Sequence, residues 1–200
     1  MNLDEYRTVF VAGSLVLMLI AATPTVSLIM VVSSGGGERF SELWLLGPNH
    51  LAEDYPFNVS VNELYRVFAG VGNHLGGSSY YLVYAKFRNQ TQPLPDVMAS
   101  EPSSLPTLYE FRFFVADGET WESLLTFAFQ NVSLQGNSVF VSNVSINDVT
   151  FSVNSYSMWD SENQGFYYQL FFELWLYDIT SRSFQYHNRF VGIWLNMTSS

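Results

Sequence analysis

Hydrophobic and polar residues alternate with a period of two along most of the chain after residue 38. This pattern is typical of β-strands that bury one face. The clearest example is segment 165–177, where the even-numbered residues are all apolar and the odd-numbered residues mix aromatic and polar side chains. Counting such segments gives roughly eight or nine strands, which favours an antiparallel sandwich of two β-sheets.

Turn signals divide this region into separate strands. The predicted strands are 43–46, 59–71, 79–88, 108–116, 120–130, 138–146, 149–154, 165–177 and 183–196. We expect 59–71 to pair with 79–88, and 108–116 to form a hairpin with 120–130 through the turn Asp117-Gly118. The signals Gly136-Asn137 and Asn147-Asp148 predict that a meander follows.

Segment 89–106 interrupts the strand pattern. It contains four prolines and shows no periodicity, so it is predicted to be a long loop. Loops of this length are usually functional or disordered.

The N-terminal part of the chain has a different pattern. Residues 8–32 contain no charged side chain, and about 20 apolar residues suffice for a helix to cross a bilayer. We therefore expect residues 1–32 to be a tail and a transmembrane anchor helix, 33–37 a Gly/Ser linker, and 38–200 one domain. Two alternatives stay open: a cleaved signal peptide, disfavoured by the acidic start and the long apolar run, and a buried core helix.

The composition of the domain bears on its location. Arg7 and Arg39 flank the apolar run, so positive charge gives little information on orientation. The chain has no cysteine, and it carries five N-x-S/T sequons, at Asn58, Asn89, Asn131, Asn143 and Asn196. Sequons mark possible glycosylation sites on exposed segments, although an Asn- and Ser-rich sequence also produces them by composition. We expect a single-pass protein of the cell membrane whose C-terminal domain is extracytoplasmic.

Three segments carry a resemblance to a known family. They are FSELWLLGPNHLAEDYPFNV at 40–59, GVGNH at 70–74 and YYLVYAKFRNQTQPLP at 80–95. They resemble the C-terminal, extracytoplasmic part of an archaeal family of uncharacterised membrane proteins, domain of unknown function 1616. The resemblance implies a β region similar to immunoglobulin-like and cell-adhesion-like modules, and it supplies no catalytic residues. Longer members have several membrane spans upstream, whose function does not transfer to this chain.

The charge and residue types exclude several classes of partner and site. The formal net charge is −10 at pH 7, which disfavours nucleic acid and anionic lipid surfaces as partners. Without cysteine there is neither a disulfide framework nor a thiolate metal site. The bilayer, reached through the N-terminal helix, is the partner that the pattern itself predicts.

Residues with catalytic or metal-binding chemistry are scattered. His50, His74 and His187 lie far apart, and the chain has no H-E-x-x-H, G-x-S-x-G or phosphate-binding loop motif. Two acidic groups offer oxygen ligands in loops: Glu53-Asp54, and Asp160-Ser161-Glu162-Asn163. The second group could hold calcium, and the carboxylates could pair as glycosidase acid and base. We assign no cofactor, and an envelope hydrolase or enzyme accessory is the alternative function.

Aromatic residues on the predicted outward faces point to a contact role. The odd face of 165–177 carries Tyr167, Phe171, Trp175 and Tyr177, too apolar a set for free exposure to solvent. Loops that cover the sheet, or aromatic pairs between strands, would also explain them. We predict that these four residues form a contact surface for a protein or glycan. The expected function is that of a non-catalytic envelope module, with an envelope protein or a second copy of the chain as partner.

Overall fold

The computed structural model describes residues 6–7, 10–12, 14, 16–18 and 38–198. The chain divides into two units, Met1–Arg39 and Phe40–Ser200. In the first unit the described residues before residue 38 are helical. Within the described ranges no helix is long and apolar enough to cross a membrane. Most of the predicted anchor 8–32 and the whole linker 33–37 lie outside the described residues.

The second unit is built from β-strands. Its described residues form ten strands: β1 Phe40–Leu46, β2 Asn58–Val59, β3 Tyr65–His74, β4 Ser79–Asn89, β5 Thr107–Val115, β6 Thr120–Gln135, β7 Ser138–Ile146, β8 Val149–Met158, β9 Tyr167–Asp178 and β10 Ser183–Met197. The mainly β prediction is therefore confirmed, and the bounds of β7 agree with the predicted segment 138–146.

The ten strands form two five-stranded sheets. Sheet 1 has the order β1-β3-β6-β7-β8, and sheet 2 has the order β2-β10-β9-β4-β5. Neighbouring strands are antiparallel except for β2 and β10, which are parallel. Two sheets whose inner faces share a core form a β-sandwich.

The core lies between the sheets and follows the period of two. Val67, Ala69 and Val71 of sheet 1 are fully buried, and so are Phe172 and Leu174 of sheet 2. The even-numbered face of β9 is thus the core face, as the alternation predicted. Burial of such side chains supplies the main driving force for folding, at about 25 cal/mol per Å² of apolar surface.

Specific contacts join the two sheets across this core. The Tyr168 hydroxyl of sheet 2 donates to the Val139 carbonyl oxygen of sheet 1 over 2.6 Å. The rings of Phe87 and Phe129, from opposite sheets, lie 5.8 Å apart. A buried hydroxyl needs a partner, so the first contact fixes one sheet relative to the other.

The two predicted hairpins are wrong: segment 108–116 does not pair with 120–130, and segment 59–71 does not pair with 79–88. Strand β5 belongs to sheet 2 and β6 to sheet 1, and likewise β4 belongs to sheet 2 and β3 to sheet 1. The chain crosses the sandwich at both turns, so Phe113 stacks face to face on Trp121 at 3.6 Å instead of pairing beside it in one sheet. Alternation specifies which face of a strand is buried, but it does not specify the neighbouring strand.

The predicted meander of β6, β7 and β8 is confirmed. Adjacent strands pair in order through tight turns. At the second turn Asn147 and Asp148 have φ values of 47° and 65°. Asn and Asp tolerate this left-handed region, which two-residue hairpin turns of type I′ require at both positions.

Candidate functional site

The outer face of sheet 2 carries the candidate site, and the strand register sets its layout. The outward residues of β4, β9 and β10 lie side by side, as in the row Arg88, Gln169 and Trp194. Along the strands this face has three zones. They are an aromatic end, a centre covered by the loop 89–106, and a cleft at the opposite end.

The aromatic end contains a stacked group of four rings, here called the aromatic patch: Tyr80, Phe114, Tyr177 and Phe184. Tyr80 stacks on Phe114 at 4.3 Å and 8°, and its ring lies 5.0 Å from that of Phe184. Tyr177 meets Phe184 edge-on at 5.4 Å. Phe114 stays 74% exposed. Such pairs hold the rings in fixed positions, so the patch is preformed.

A charged side chain borders the aromatic patch. The Arg112 guanidinium lies 5.7 Å from the centre of the Phe184 ring, and it donates to both carboxylate oxygens of Glu110 over 2.8 and 3.2 Å. The two hydrogen bonds hold the Arg112 guanidinium beside the aromatic patch. An exposed aromatic group with an adjacent arginine has the composition that interfaces favour.

The centre of the face is covered by the loop 89–106 through a buried ion pair. Lys86 Nζ lies 2.9 Å from Glu173 Oε2. Both partners bind the backbone of Ser103. Lys86 donates to the Ser103 carbonyl oxygen over 2.6 Å, and the Ser103 amide donates to Glu173 over 2.7 Å. Lys86 is 4% exposed and Glu173 is 0% exposed. The proline-rich segment is therefore a fixed cover over this part of the sheet.

The prediction that Phe171 belongs to an exposed surface is wrong. Its side chain points outward but is fully buried. Its register partner Gly192 leaves no room for a side chain, because a Cβ there would meet the Phe171 Cβ at 2.8 Å. The loop reaches as far as β10, where Asn188 donates to the Ser100 hydroxyl over 2.9 Å. The alternative that loops cover the sheet applies to this residue.

The predicted contact surface is therefore divided. Trp175 and Tyr177, both half-buried, lie at the aromatic end. Tyr84 and Tyr186 extend that group inward, with rings 5.4 and 5.8 Å from Trp175. Tyr167 lies beyond the covered centre, in the cleft. Alternation along one strand could not show this division, because a distant loop creates it.

The cleft at the opposite end has a volume of about 320 Å³. It is lined by Phe57, Gln90, Asp160, Asn163, Tyr167 and Trp194. These residues come from four separate segments of the chain, so no local sequence motif marks the cleft. It combines aromatic walls with amide and carboxylate groups.

The acidic loop considered for calcium forms part of this cleft. Asp160 Oδ1 accepts the amide protons of Glu162 and Asn163 over 2.9 and 3.1 Å, and Oδ2 accepts from the Asn163 side chain. These hydrogen bonds, led by those of Asn163, lower the pKa of Asp160 below its ordinary value. Among the described residues no three acidic or histidine side chains come close enough to hold a metal ion.

The carboxylates considered for a hydrolase do not come together in the cleft. Glu53 and Asp54 are exposed on the segment between β1 and β2, and of the four nominated acids Asp160 alone is among the residues that line it. A glycosidase needs two carboxyl groups across one bond.

The five sequon asparagines differ in accessibility. Asn58 is exposed, and so is Asn131, which lies in β6 with a φ of 54°. Asn89 is engaged: it donates to the Tyr156 carbonyl oxygen and accepts from Thr91 and Gln92. The remaining two, Asn143 and Asn196, are half-buried.

Two more hydrogen bonds involve the last of these sequons. Asn196 Nδ2 donates to Asn58 Oδ1 over 3.0 Å, and its Oδ1 accepts from the Phe166 amide over 3.1 Å. A half-buried asparagine whose side chain is hydrogen-bonded on both its nitrogen and its oxygen is less accessible for glycan attachment than an exposed one. Asn58 and Asn131 therefore offer the freer attachment points.

A histidine network was missed by the sequence analysis. His187 Nε2 lies 3.0 Å from Ser41 Oγ, which in turn lies 2.7 Å from the Tyr81 hydroxyl. Tyr81 also donates to Asn73 over 3.1 Å. Ser41 is fully buried, so the network links the two sheets and offers no nucleophile to a substrate. Ser41 and His187 are too distant in sequence for any local signal.

The remaining histidines lie at the surface and pack on aromatic rings. His50 stacks on Phe68 at 3.6 Å and bonds Glu122 over 2.7 Å. His74 stacks on Phe40 at 4.7 Å. These two histidines therefore lie at the surface, whereas His187 takes part in a contact between the two sheets.

Comparison with solved structures gives matches of low similarity. One is a β-glucosidase from Listeria innocua in complex with glucose, at 10% identity and a TM-score of 0.35. Another is the β-glucosidase from Listeria innocua in complex with isofagomine, at 12% identity and a TM-score of 0.34. Each alignment covers 82% of this chain but 17% of the enzyme. At these scores the matches support no argument about function.

Comparison with curated proteins gives no match. A family model matches residues 34–140, which is more than half of the chain and includes β1 to β6 and the start of β7. The match contains all three segments on which the resemblance rested. The chain belongs to the family described as Domain of unknown function (DUF1616).

Proposed function

We propose that this protein is a membrane-anchored, extracytoplasmic module of the cell envelope that binds another protein through the aromatic patch. The observation that carries the proposal is the patch itself: four neighbouring aromatic rings on the outer face of sheet 2, with Phe114 74% exposed and the other three half-buried. A contiguous, partly exposed apolar group of this kind marks interaction surfaces.

Physical features of the patch favour a protein partner. Tyr and Arg are enriched at the centre of protein interfaces, and Tyr80, Tyr177 and Arg112 supply them. Because the rings are already fixed by stacking, binding loses less side-chain entropy. A partner with a basic rim would suit the net charge of −10. The partner is an envelope protein or a second copy of this chain.

The fold and the apolar run support the location. A two-sheet sandwich is the architecture of immunoglobulin-like and cell-adhesion-like modules, a likeness that is analogy of fold. The uncharged run 8–32 is long enough to anchor the chain in a bilayer. The exposed sequons at Asn58 and Asn131 suit an extracytoplasmic domain that carries glycans.

The enzymatic alternative has less support. The nominated carboxylates are separated, and the buried ion pair of Lys86 and Glu173 is covered by Ser103. Glu53, Asp54 and Glu162 are exposed, as in solvated loops.

The experiment changes the patch without disturbing the core. The double variant Phe114→Ser with Tyr177→Ser should keep the circular dichroism spectrum of the native chain. Self-association is measured by analytical ultracentrifugation, and other partners are found by affinity capture from the native membrane. We expect association to weaken about 30-fold or more, since interface aromatics often contribute over 2 kcal/mol each.

A matched control lies in the other sheet, away from both the aromatic patch and the other end of this face. Tyr156 of β8 in sheet 1, 49% exposed, is changed to Ser, which removes an aromatic ring without touching the patch. This variant should retain every partner of the native chain. If the double variant stays folded and also retains every partner, the aromatic patch is not the contact surface.

A further inference from the structure

The cleft on the outer face of sheet 2 has features of a ligand site that is separate from the aromatic patch. Its volume of about 320 Å³ lies at the small end of the range of ligand pockets, about 300–1,000 Å³. A small ligand, or a short part of a larger one, therefore fits. Its aromatic and polar groups converge from four chain segments, all within the unit Phe40–Ser200.

The aromatic walls are held in place by their neighbours. The Phe57 and Tyr167 rings lie 6.1 Å apart and are inclined by 38°. Arg88 packs over the Trp194 ring at 5.1 Å, and its Nε donates to Gln169 over 2.9 Å. Trp194 is thus fixed while 41% of it stays exposed. The cleft presents a rigid aromatic surface to solvent.

Two oxygen atoms of the cleft, one on Gln90 and one on Asp160, accept fewer hydrogen bonds than they can. Gln90 Oε1 is shielded from solvent and has no hydrogen-bond partner within residues 38–198, although its Nε2 donates to the Met158 carbonyl oxygen over 3.3 Å. That second bond fixes the orientation of the amide. A carboxylate oxygen accepts about two hydrogen bonds, and Asp160 Oδ2 accepts one, from Asn163. Both oxygens therefore have unused capacity to accept a hydrogen bond from a ligand.

We propose that this cleft binds a neutral saccharide. A sugar ring has C–H groups on its faces, which pack on aromatic rings, and hydroxyl groups at its edge, which donate to oxygens such as those of Gln90 and Asp160. Anionic ligands are disfavoured because the Asp160 carboxylate repels them. The nearby guanidinium of Arg88 does not offset this charge at the cleft surface, since it is buried against the Trp194 ring. A purely apolar ligand would leave the Gln90 oxygen without a donor.

Two sources supply this chemistry. One is a saccharide on another molecule of the envelope. The other is a glycan on Asn58 of this chain, since Asn58 follows Phe57 directly and is exposed. The chemistry of the cleft is the same for both, so the experiment must separate them.

The test uses the full chain in mild detergent, produced in a host that does not attach N-glycans. Neutral disaccharides (maltose, cellobiose, mannobiose and chitobiose) are titrated calorimetrically, and a printed array of neutral glycans extends the set. At least one should bind. Trp194→Ala and Gln90→Ala should each weaken that binding about tenfold or more, because each removes one of the two kinds of contact.

Control variants keep the result interpretable. Phe114→Ser alters the aromatic patch and should leave saccharide binding unchanged, so failure of the proposed protein contact and failure of this site are distinguishable. Trp194→Tyr retains a ring and should preserve much of the affinity. Each variant is checked by circular dichroism and thermal unfolding. If no neutral saccharide binds the native chain, or if Trp194→Ala binds as tightly as the native chain, the proposal is wrong.

The source is decided in a host that does attach N-glycans. Ser60→Ala removes the sequon of Asn58 and keeps the asparagine. If the chain's own glycan occupies the cleft, the glycosylated native chain binds added saccharide weakly and Ser60→Ala restores the binding. If the saccharide belongs to another molecule, both proteins bind it equally. Either result supports a saccharide site, and they assign different sources.

Discussion

Lys86 and Glu173 form an ion pair at 2.9 Å that is almost completely removed from solvent. Both lie on the outward faces of neighbouring strands in sheet 2, positions at which alternation predicts exposure. The loop 89–106 covers them and satisfies both charges with the backbone of Ser103. Three groups distant in sequence thus form one buried polar unit.

Removing one partner of this pair should be strongly destabilising. Lys86→Met leaves the Glu173 carboxylate buried without its cation, and we expect the free energy of unfolding to fall by about 3–5 kcal/mol. Urea unfolding followed by tryptophan fluorescence measures the change. The double variant Lys86→Met with Glu173→Leu should recover most of this loss, since an apolar pair carries no unpaired charge. A double variant as unstable as the single one would contradict this explanation.

The same double variant should loosen the loop. With both charges gone, Ser103 loses the acceptor for its amide and the donor to its carbonyl oxygen. Limited proteolysis should then cut within 89–106 faster than in the native chain, at equal fractions folded. An unchanged cleavage rate would mean that other contacts hold the loop.

Phe172 tests the assignment of faces on β9. It is fully buried in the core, so Phe172→Ala should lower the free energy of unfolding by about 3–5 kcal/mol. Phe114→Ala is the matched control, since that ring is 74% exposed, and its effect should stay within about 0.5 kcal/mol. Chemical denaturation of both variants gives the comparison. A loss below about 1 kcal/mol for Phe172→Ala would show that the buried and exposed faces of β9 are inverted.

Tyr186 should account for part of the loss of folding stability at alkaline pH. Burial, assisted by the nearby Glu173, raises its pKa to about 12, whereas an unfolded tyrosine ionises near about 10. The stability contributed by the neutral phenol is complete below pH about 10 and is lost as the pH rises through about 12. Unfolding measured at pH 8 to 12 should therefore show a smaller pH dependence in Tyr186→Phe.

At neutral pH Tyr186→Phe should not lower the free energy of unfolding. The Tyr186 hydroxyl is buried and lacks a hydrogen-bond partner among the described residues, so removing it relieves an unsatisfied group. Tyr168→Phe is the control, because the Tyr168 hydroxyl donates over 2.6 Å to Val139. In Tyr168→Phe the free energy of unfolding should fall by about 1 kcal/mol. Equal losses in both variants would indicate that the Tyr186 hydroxyl has a partner.

The anchor prediction can be tested on intact cells. Protease added outside should remove the domain 38–200 and leave a short membrane-bound fragment that contains residues 8–32. Mass spectrometry of the N-terminus of the mature protein provides the second measurement. A mature N-terminus near Ser33 would show that the segment is a cleaved signal peptide, and a domain protected from protease would place it on the inner side.

The sequence by itself determined the strands and their buried faces. A period of two reports which side chains point inward, and Asn, Asp and Gly mark tight turns through their tolerance of positive φ. For this reason β7, the meander around it and the core face of β9 were predictable. The segments at 40–59, 70–74 and 80–95 were also sufficient to identify the family.

Only the tertiary structure decided which strands are neighbours and which outward residues are exposed. Strand pairing depends on contacts between segments distant in sequence, so the hairpin predicted from β5 and β6 became a crossing between sheets. Phe171 and Lys86 have the alternation of surface residues, yet the loop 89–106 buries them. The cleft around Trp194 combines four segments of the chain. Each of these depends on three-dimensional proximity, which a periodic pattern within one strand does not encode.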